Sequence, residues 1–188
     1  MTEIVLFHHA QGQTEGFVGF ADELRAAGHT VHTPDYFDGR TFTSVEEGVG
    51  YRDEVGQEEL TRRAAAAVDG LPAEVLWMGM SLGAVFAQLE AQTRPGALGA
   101  VFLYGVLPPE ALGSAWPAGL PAQVHGMVDD PWVDWDAEVA PFAEASGAEV
   151  FRYPGARHLF GEVGNADYTS DAAGLLRDRV LAFASRVG

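Results

Sequence analysis

Residues 74–88 read EVLWMGMSLGAVFAQ, in which an apolar run is followed by Gly79-Met80-Ser81-Leu82-Gly83 and then by a second apolar run with helical character. This order predicts a buried strand, a sharp turn and a helix. In a Gly-x-Ser-x-Gly turn of this kind the glycines relieve crowding, and the serine between them is strained with its Oγ exposed above the sheet. The five-residue pattern alone is weak, but the strand and helix around it make Ser81 a candidate nucleophile. The alternative is a plain structural turn.

Short β-rich runs and helical segments alternate along the rest of the chain. The β-rich runs carry Val, Leu, Phe and Tyr without strict alternation, which is typical of strands buried on both faces of a parallel sheet. We predict strands at residues 4–8, 29–33, 74–78, 100–104, 122–125 and 149–153. We predict a helix between the N-cap Thr14 and Gly28, and further helices at about residues 52–68, 82–93, 135–145 and 170–187.

This alternation predicts an α/β fold: a doubly wound, mostly parallel six-stranded sheet with helices on both faces, in a single domain spanning residues 1–188. A strand order of 2-1-3-4-5-6 would put strands 1 and 3 side by side and open a crevice between their carboxyl ends. Residues 34–50 and 105–121 are expected to be irregular surface connections. The alternative is that they wall the substrate pocket.

A serine hydroxyl needs a base to act as a nucleophile at neutral pH, and the base needs an orienting carboxylate. Asp129 and Asp130 follow the fifth predicted strand, and His158 lies in a loop after the sixth, where a histidine has no packing reason to be. We choose Asp130 because the following Pro131 restricts its backbone to an extended form and so fixes the carboxylate. Asp129 stays open as the alternative, and His158 could instead face solvent.

Acyl transfer also needs donors for an oxyanion. One is expected from the amide of Leu82, the residue after the serine, and the other from the turn after the first strand, at Ala10. Two histidines, His8 and His9, precede Ala10. One of them could be a buried histidine at the strand end, and a metal site is not expected because no third ligand has recognisable spacing.

Composition excludes several classes of function. The chain has 188 residues, a mass of 20.0 kDa and a formal net charge of −16. A surface this acidic repels phosphate backbones and anionic lipid heads, so we expect neither nucleic acid nor membrane as a partner. Every basic residue is Arg and Cys is absent, which excludes Schiff-base lysines and thiol nucleophiles. The N-terminus resembles an opening strand and not a signal peptide, so we expect the protein to be cytoplasmic. We also expect a monomer or homodimer, and neither a metal nor a cofactor.

Together these residues resemble the dienelactone hydrolases of the α/β-hydrolase superfamily, in a small form without a lid domain. The resemblance runs along nearly the whole chain, through His9-Ala10-Gln11-Gly12, Pro34-Asp35, Gly79-Met80-Ser81-Leu82-Gly83, Asp130-Pro131 and His158-Leu159-Phe160 to the final helix. It implies a minimal α/β-hydrolase fold with Ser81 as nucleophile, His158 as base and Asp130 as its orienter. The amides of Ala10 and Leu82 would form the oxyanion hole.

The sequence departs from the family pattern in three places. The best-known members have a cysteine where this chain has Ser81, and a glutamate where it has His9. They also hold the carboxylate of their substrate with two arginines, one soon after the catalytic histidine, whereas Leu159-Phe160-Gly161-Glu162 contains none. Arg40 and Arg52 could serve instead, although both could equally be solvated.

The expected function is that of a carboxylic ester hydrolase acting on small esters or lactones through an acyl-enzyme. A thioesterase or acyltransferase with the same triad is one alternative, and a scaffold that binds a ligand without turnover is another. His9, Trp132 and Phe160 are candidate substrate-binding residues, and the aromatic pair could instead belong to the core.

Overall fold

Six strands form one sheet in the order β2-β1-β3-β4-β5-β6, in a computed structural model that describes residues 1–188. The strands are β1 (Glu3–Phe7), β2 (Thr30–His32), β3 (Leu76–Met80), β4 (Gly99–Leu103), β5 (Ala122–Met127) and β6 (Glu149–Tyr153). Every neighbouring pair is parallel. The predicted strand number, direction and order are confirmed, with strand ends shifted by at most two residues.

Helices cover both faces of the sheet, as predicted. On one face lie α1 (Glu15–Ala26) and α6 (Ser170–Val187). On the other lie α2 (Val45–Val55), α3 (Gln57–Ala67), α4 (Leu82–Thr93) and α5 (Ala140–Ser146). A short 3₁₀ helix (Pro109–Leu112) follows β4, and a π-helical turn (Trp135–Val139) leads into α5.

Strand β3 shows why the sheet is buried on both sides. Its five residues are all buried. Leu76, Met78 and Met80 pack into the core beneath α1 and α6, while Trp77 packs into the core on the opposite face. Because successive strand residues point to opposite faces, a strand covered by helices on both sides needs apolar residues at every position.

The prediction of a single helix at residues 52–68 is wrong, because two helices occupy this region. The first of them begins inside residues 34–50, which were expected to be irregular. Helix α2 begins after Ser44, whose Oγ accepts a hydrogen bond from the Glu47 amide, and the Glu47 carboxylate accepts one from the Thr43 amide. This exchange is a variant of the capping box. The helix ends at Gly56, whose φ of 90° lies in the left-handed region that favours glycine.

The remaining helices follow their sequence signals. Thr14 caps α1 by accepting a hydrogen bond from the Phe17 amide, and α4 and α6 have the predicted bounds. No helix is both long enough and apolar enough to cross a membrane. The strand ends at the carboxyl edge of the sheet bring the turns after β1, β3, β5 and β6 together, and the candidate site lies there.

Candidate active site

Ser81 lies in a strained turn between β3 and α4. Its φ of 50° and ψ of −115° are unusual for a residue other than glycine. A Cβ on Gly79 would lie 2.2 Å from the carbonyl oxygen of Gly83, and a Cβ on Gly83 would lie 2.4 Å from the carbonyl oxygen of His8. Both flanking positions therefore exclude any side chain. The expected strand–turn–helix context is present, and it lifts Ser81 above the end of the sheet.

Ser81, His158 and Asp130 form a hydrogen-bonded chain, which we call the reaction chain. His158 Nε2 lies 2.7 Å from Ser81 Oγ, and His158 Nδ1 lies 2.7 Å from Asp130 Oδ2. A carboxylate only accepts, so Nδ1–H donates to Asp130 and leaves Nε2 free to accept the serine proton. Both His158 and Asp130 are buried. The three side chains come from three separate strand ends and meet in one place.

Backbone contacts hold the two partners of Ser81 in position. The amides of His158 and Leu159 both donate to Asp167 Oδ2, at 3.1 and 3.2 Å. Asp130 uses its second oxygen, Oδ1, to accept from the amide of Trp132 at 2.9 Å. Asp129 is exposed and makes no contact with His158. Of the two neighbouring aspartates, Asp130 is the one that meets the imidazole.

The amides of Ala10 and Leu82 lie beside Ser81 and donate no hydrogen bond within the protein. Leu82 is the first residue of α4, where the helix leaves its amides unpaired and its dipole favours negative charge. Ala10 is held by α2, because Gly48 packs so closely that a Cβ there would lie 1.7 Å from the Ala10 carbonyl oxygen. Two unpaired donors beside a hydroxyl suit a developing oxyanion.

His8 and Tyr36 support the loop that carries Ala10. The His8 ring is fully buried, stacks on Tyr36 at a centroid distance of 3.8 Å, and donates from Nδ1 to the His9 carbonyl oxygen. The Tyr36 hydroxyl donates to the His8 carbonyl oxygen. Burial lowers the pKa of His8, and its Nε2 lies 3.6 Å from Asp35 Oδ1. His8 is thus the buried strand-end histidine.

His9 is buried against a carboxylate and faces neither cavity of the site, which is a correction to its expected contact with substrate. His9 Nε2 lies 2.5 Å from Glu162 Oε1, although the angle is outside that of a well-formed hydrogen bond. Both side chains are fully buried. His9 Nδ1 accepts from the Gln11 amide, and Thr14 Oγ1 donates to Glu162 Oε2. No local sequence pattern indicates this pair, because its members lie far apart along the chain.

Two cavities open on the reaction chain. Ser81, Ala10 and Leu82 line one of about 180 Å³, which we call the inner cavity, and His158 lines one of about 620 Å³, which we call the outer cleft. Trp132 lines both and is 42% exposed, so it stays a candidate substrate-binding residue. Phe160 lines neither. It is fully buried against Tyr104 and Tyr153. The expectation that Phe160 lines the pocket is therefore corrected, and Phe160 belongs to the core.

Both long segments that were expected to be surface connections contribute walls to these cavities. Phe42 and Thr43 line the outer cleft, and Gly105, Val106 and Leu107 line the inner cavity. The residues of these segments nearest the sheet are therefore walls of the candidate site, which was the alternative to surface connections. The extended turn after β4 could have signalled this, because it begins at the same edge as Ser81.

Of the two candidate arginines, Arg40 and Arg52, one lines a cavity and the other does not. Arg52 lines the inner cavity, where its Nε and Nη2 both donate to Asp53 Oδ1. Arg40 lies over the Tyr51 ring, 5.1 Å from its centroid, and lines neither cavity. The outer cleft has carboxylates at Glu15 and Glu46 in its wall and no arginine. An anionic group is therefore disfavoured there.

Tyr104 is a site residue that the sequence analysis missed. It follows β4 with a φ of 68°, lines the inner cavity, and its ring centroid lies 5.7 Å from that of His158. Its hydroxyl accepts from the Gly161 amide, and burial raises the pKa of Tyr104 well above the usual value. A non-glycine residue in the left-handed region is a structural outlier that its sequence context does not announce.

No group of three or more His, Asp or Glu side chains is arranged to hold a metal ion. The chemistry open to these residues is proton transfer by His158, attack by Ser81 and stabilisation of negative charge by two amides.

Comparisons with known proteins agree with this fold. A dienelactone hydrolase-like promiscuous phosphotriesterase from metagenomic libraries is 21% identical with a TM-score of 0.81, over 100% of this chain and 87% of that chain. Esterase 2 of Thermogutta terrifontis, solved with propionate bound, is 18% identical with a TM-score of 0.67, over 96% and 83%. Mouse alpha/beta hydrolase domain-containing protein 10 is 13% identical with a TM-score of 0.75, over 99% and 90%. These likenesses show the α/β-hydrolase fold.

Among curated proteins, no sequence match was found. The family model of the dienelactone hydrolases, by contrast, matches residues 1–187. Family membership and the esterase neighbours together support a hydrolase. The chain belongs to the dienelactone hydrolase family.

Proposed function

We propose that the protein is a serine hydrolase that cleaves small carboxylic esters or lactones through an acyl-enzyme intermediate. The observation that carries the proposal is the reaction chain, in which one imidazole lies 2.7 Å from both a serine Oγ and a buried carboxylate. The free amides of Ala10 and Leu82 beside that serine support it further.

The first half of the proposed reaction forms an ester bond to Ser81. As Ser81 Oγ attacks the carbonyl carbon, its proton passes to His158 Nε2, and Asp130 stabilises the resulting imidazolium. The carbonyl oxygen takes up the negative charge and is met by the amides of Ala10 and Leu82. When the intermediate collapses, His158 gives its proton to the leaving alcohol and Ser81 keeps the acyl group.

The second half restores the enzyme. A water molecule enters from the outer cleft, His158 takes its proton, and the hydroxide attacks the acyl carbon. The same two amides receive the charge again. Collapse returns the proton to Ser81 and releases the acid, so that the net reaction consumes one water and yields an acid and an alcohol.

The proposed substrates carry no carboxylate on the leaving-group side. The outer cleft is lined by Glu15, Glu46, Glu162 and Asp167 and by no arginine. Arg157, whose Nη1 lies 3.6 Å from Asp167, is 62% exposed and does not line the outer cleft. With like charges in the wall, an anionic leaving group loses affinity, so a carboxylated dienelactone is a poor candidate substrate.

The test is the Ser81→Ala variant with p-nitrophenyl acetate as substrate and a fluorophosphonate probe as label. We expect kcat/KM to fall by about 10³-fold or more, since binding and the oxyanion donors alone sustain only weak catalysis, and we expect labelling to disappear. Ser185→Ala, which removes an exposed serine on α6, is the matched control and should behave as the wild type. Turnover by Ser81→Ala equal to that of the control would end the proposal.

A further inference from the structure

The inner cavity is a small apolar compartment directly beside the attacking oxygen. Its walls are one face of α2, with Val45 and Val49, the first turn of α4, with Val85, and the segment after β4, with Leu107. Ser81, Ala10 and Leu82 line it, and the amides of Ala10 and Leu82 donate no hydrogen bond within the protein. In the proposed acyl-enzyme, the carbonyl carbon is bonded to Ser81 and the carbonyl oxygen meets those amides. The acyl chain, which is the remaining substituent on that carbon, then lies next to this compartment.

The volume of the inner cavity limits what that substituent can be. Its volume of about 180 Å³ is less than a third of the 620 Å³ of the outer cleft, so the inner cavity suits the smaller part of a substrate. Val49, Val85 and Leu107 line it from α2, α4 and the segment after β4, so a long acyl chain would have to extend past these side chains. The compartment thus suits a short acyl chain.

Charged groups add a second limit. Arg52 and Glu138 also line the inner cavity. Arg52 lies three residues beyond Val49, about one turn further along α2. An alkyl chain that grew past Val49 would have to remove water from this guanidinium without offering it a hydrogen bond, which is unfavourable.

The leaving alcohol is directed to the other side. His158 Nε2 must protonate the departing oxygen, and His158 lines the outer cleft and not the inner cavity. The outer cleft is more than three times larger, at about 620 Å³. The alcohol part of the substrate is therefore not limited in length in the way that the acyl part is.

We propose that the inner cavity is the acyl site, that Leu107 and Val85 set its length, and that the substrates are esters of short aliphatic acids with alcohols of varied length. This inference rests on the proposed serine hydrolase activity and deepens it by naming the acid component.

The experiment is a pair of substrate series. In the first, p-nitrophenyl esters from acetate to decanoate are compared by kcat/KM at concentrations below micelle formation. We expect kcat/KM to rise by at most about fourfold per methylene while the chain fits, and to fall at least tenfold between hexanoate and decanoate. In the second, alkyl acetates from methyl to octyl are compared by acid release. We expect less than a threefold change across that series.

Two variants are expected to change the length of acyl chain that the inner cavity accepts, in opposite directions. Leu107→Ala removes three carbons from a half-buried wall residue and should shift the preferred acyl chain upward by two or three carbons. Val85→Phe fills the same space and should confine activity to acetate and propionate. Leu175→Ala, at an exposed position on α6, is the matched control for Leu107→Ala and should leave the profile unchanged.

The outcomes separate this inference from the proposed function. If no ester is hydrolysed and no probe labels Ser81, the serine hydrolase proposal itself fails. If p-nitrophenyl acetate is hydrolysed but decanoate is turned over as well as butyrate, or if the length limit follows the alcohol, then only the acyl-site inference is overturned. A profile that Leu107→Ala and Val85→Phe both leave unchanged also overturns it.

Discussion

Two buried pairs of a histidine and a carboxylate lie at the same edge of the sheet, and only one of them belongs to the reaction chain. His158 and Asp130 are 2.7 Å apart, and His9 and Glu162 are 2.5 Å apart. The difference lies in the second nitrogen of each ring. His158 Nε2 faces the Ser81 hydroxyl, whereas His9 Nδ1 accepts from the Gln11 amide. A carboxylate partner alone therefore does not make a histidine a base for catalysis.

Access to the cavities divides the two histidines in the same way. His158 lines the outer cleft, whereas His9 lines neither cavity. His9 and Glu162 instead join the loop that carries Ala10 to the loop that follows His158, and Thr14 at the start of α1 completes the contact. One pair is placed to move a proton. The other fixes two loops relative to each other.

The largest effect should come from breaking the first pair. In Asp130→Asn the amide group would favour the wrong imidazole tautomer, with the proton on Nε2, so Ser81 would lose its acceptor. We expect kcat/KM for p-nitrophenyl acetate to fall by about 10⁴-fold. The fold should persist, since an Asn oxygen can still accept from the Trp132 amide.

Asp129→Asn is the matched control for that change, because Asp129 is the exposed neighbour. Its kcat/KM should stay within about twofold of the wild type, since it removes no contact with the imidazole. A loss in Asp129→Asn as large as that in Asp130→Asn would contradict the assignment of Asp130.

Breaking the second pair should show the opposite pattern. His9→Ala would leave the Glu162 carboxylate buried without its imidazole, so we expect the free energy of unfolding in urea to fall by about 3 kcal/mol. At a temperature where the variant is folded, kcat/KM should fall by less than about tenfold. His9→Gln, which can donate to Glu162 again, should recover part of the stability. A thousandfold loss of kcat in His9→Ala at unchanged stability would place His9 in the chemistry.

Another buried histidine, His125, has no carboxylate partner, and its effect should be the smallest. Burial lowers its pKa to about 3, and its Nδ1 meets the Tyr153 hydroxyl. The unfolded chain binds a proton near pH 6.5 and the folded chain does not, so stability is present above pH 6.5 and is lost as the pH falls toward 3.

Between pH 6 and pH 5, His125 should therefore remove about 1 kcal/mol from the free energy of unfolding. Urea titrations at the two pH values should give a smaller difference for His125→Gln, which cannot titrate but can still meet Tyr153. Equal pH slopes in the variant and the wild type would show that His125 does not titrate on unfolding.

The sequence predicted the sheet, and the three residues it singled out for the reaction chain lie together in the structure, because the physical causes there are local. Glycines that leave no room for a Cβ stand on both sides of Ser81, and the proline after Asp130 restricts its backbone in a way that Asp129 does not share. Strand order follows from alternating strands and helices together with the handedness of their connections.

The remaining features depend on contacts that a local pattern does not contain. The position of His9 in the sequence suggested a residue facing substrate, but its partner Glu162 comes from the other end of the chain. Phe160 follows His158 by two residues, yet it turns into the core. The start of α2 was readable in principle, since Ser44 and Glu47 have the spacing of a helix cap, and the glycine at position 56 marks its end.

The contact between Gly48 and the Ala10 carbonyl has a consequence for engineering the enzyme. Because no atom larger than hydrogen fits at position 48, α2 rests directly on the loop that carries Ala10, and this point cannot be redesigned without displacing that loop. Val45 and Val49 on the same helix are free of this constraint and line the inner cavity. Directed evolution toward new acids should therefore accumulate changes around Gly48 while the glycine itself stays fixed, so that the cavity can change without moving the Ala10 loop.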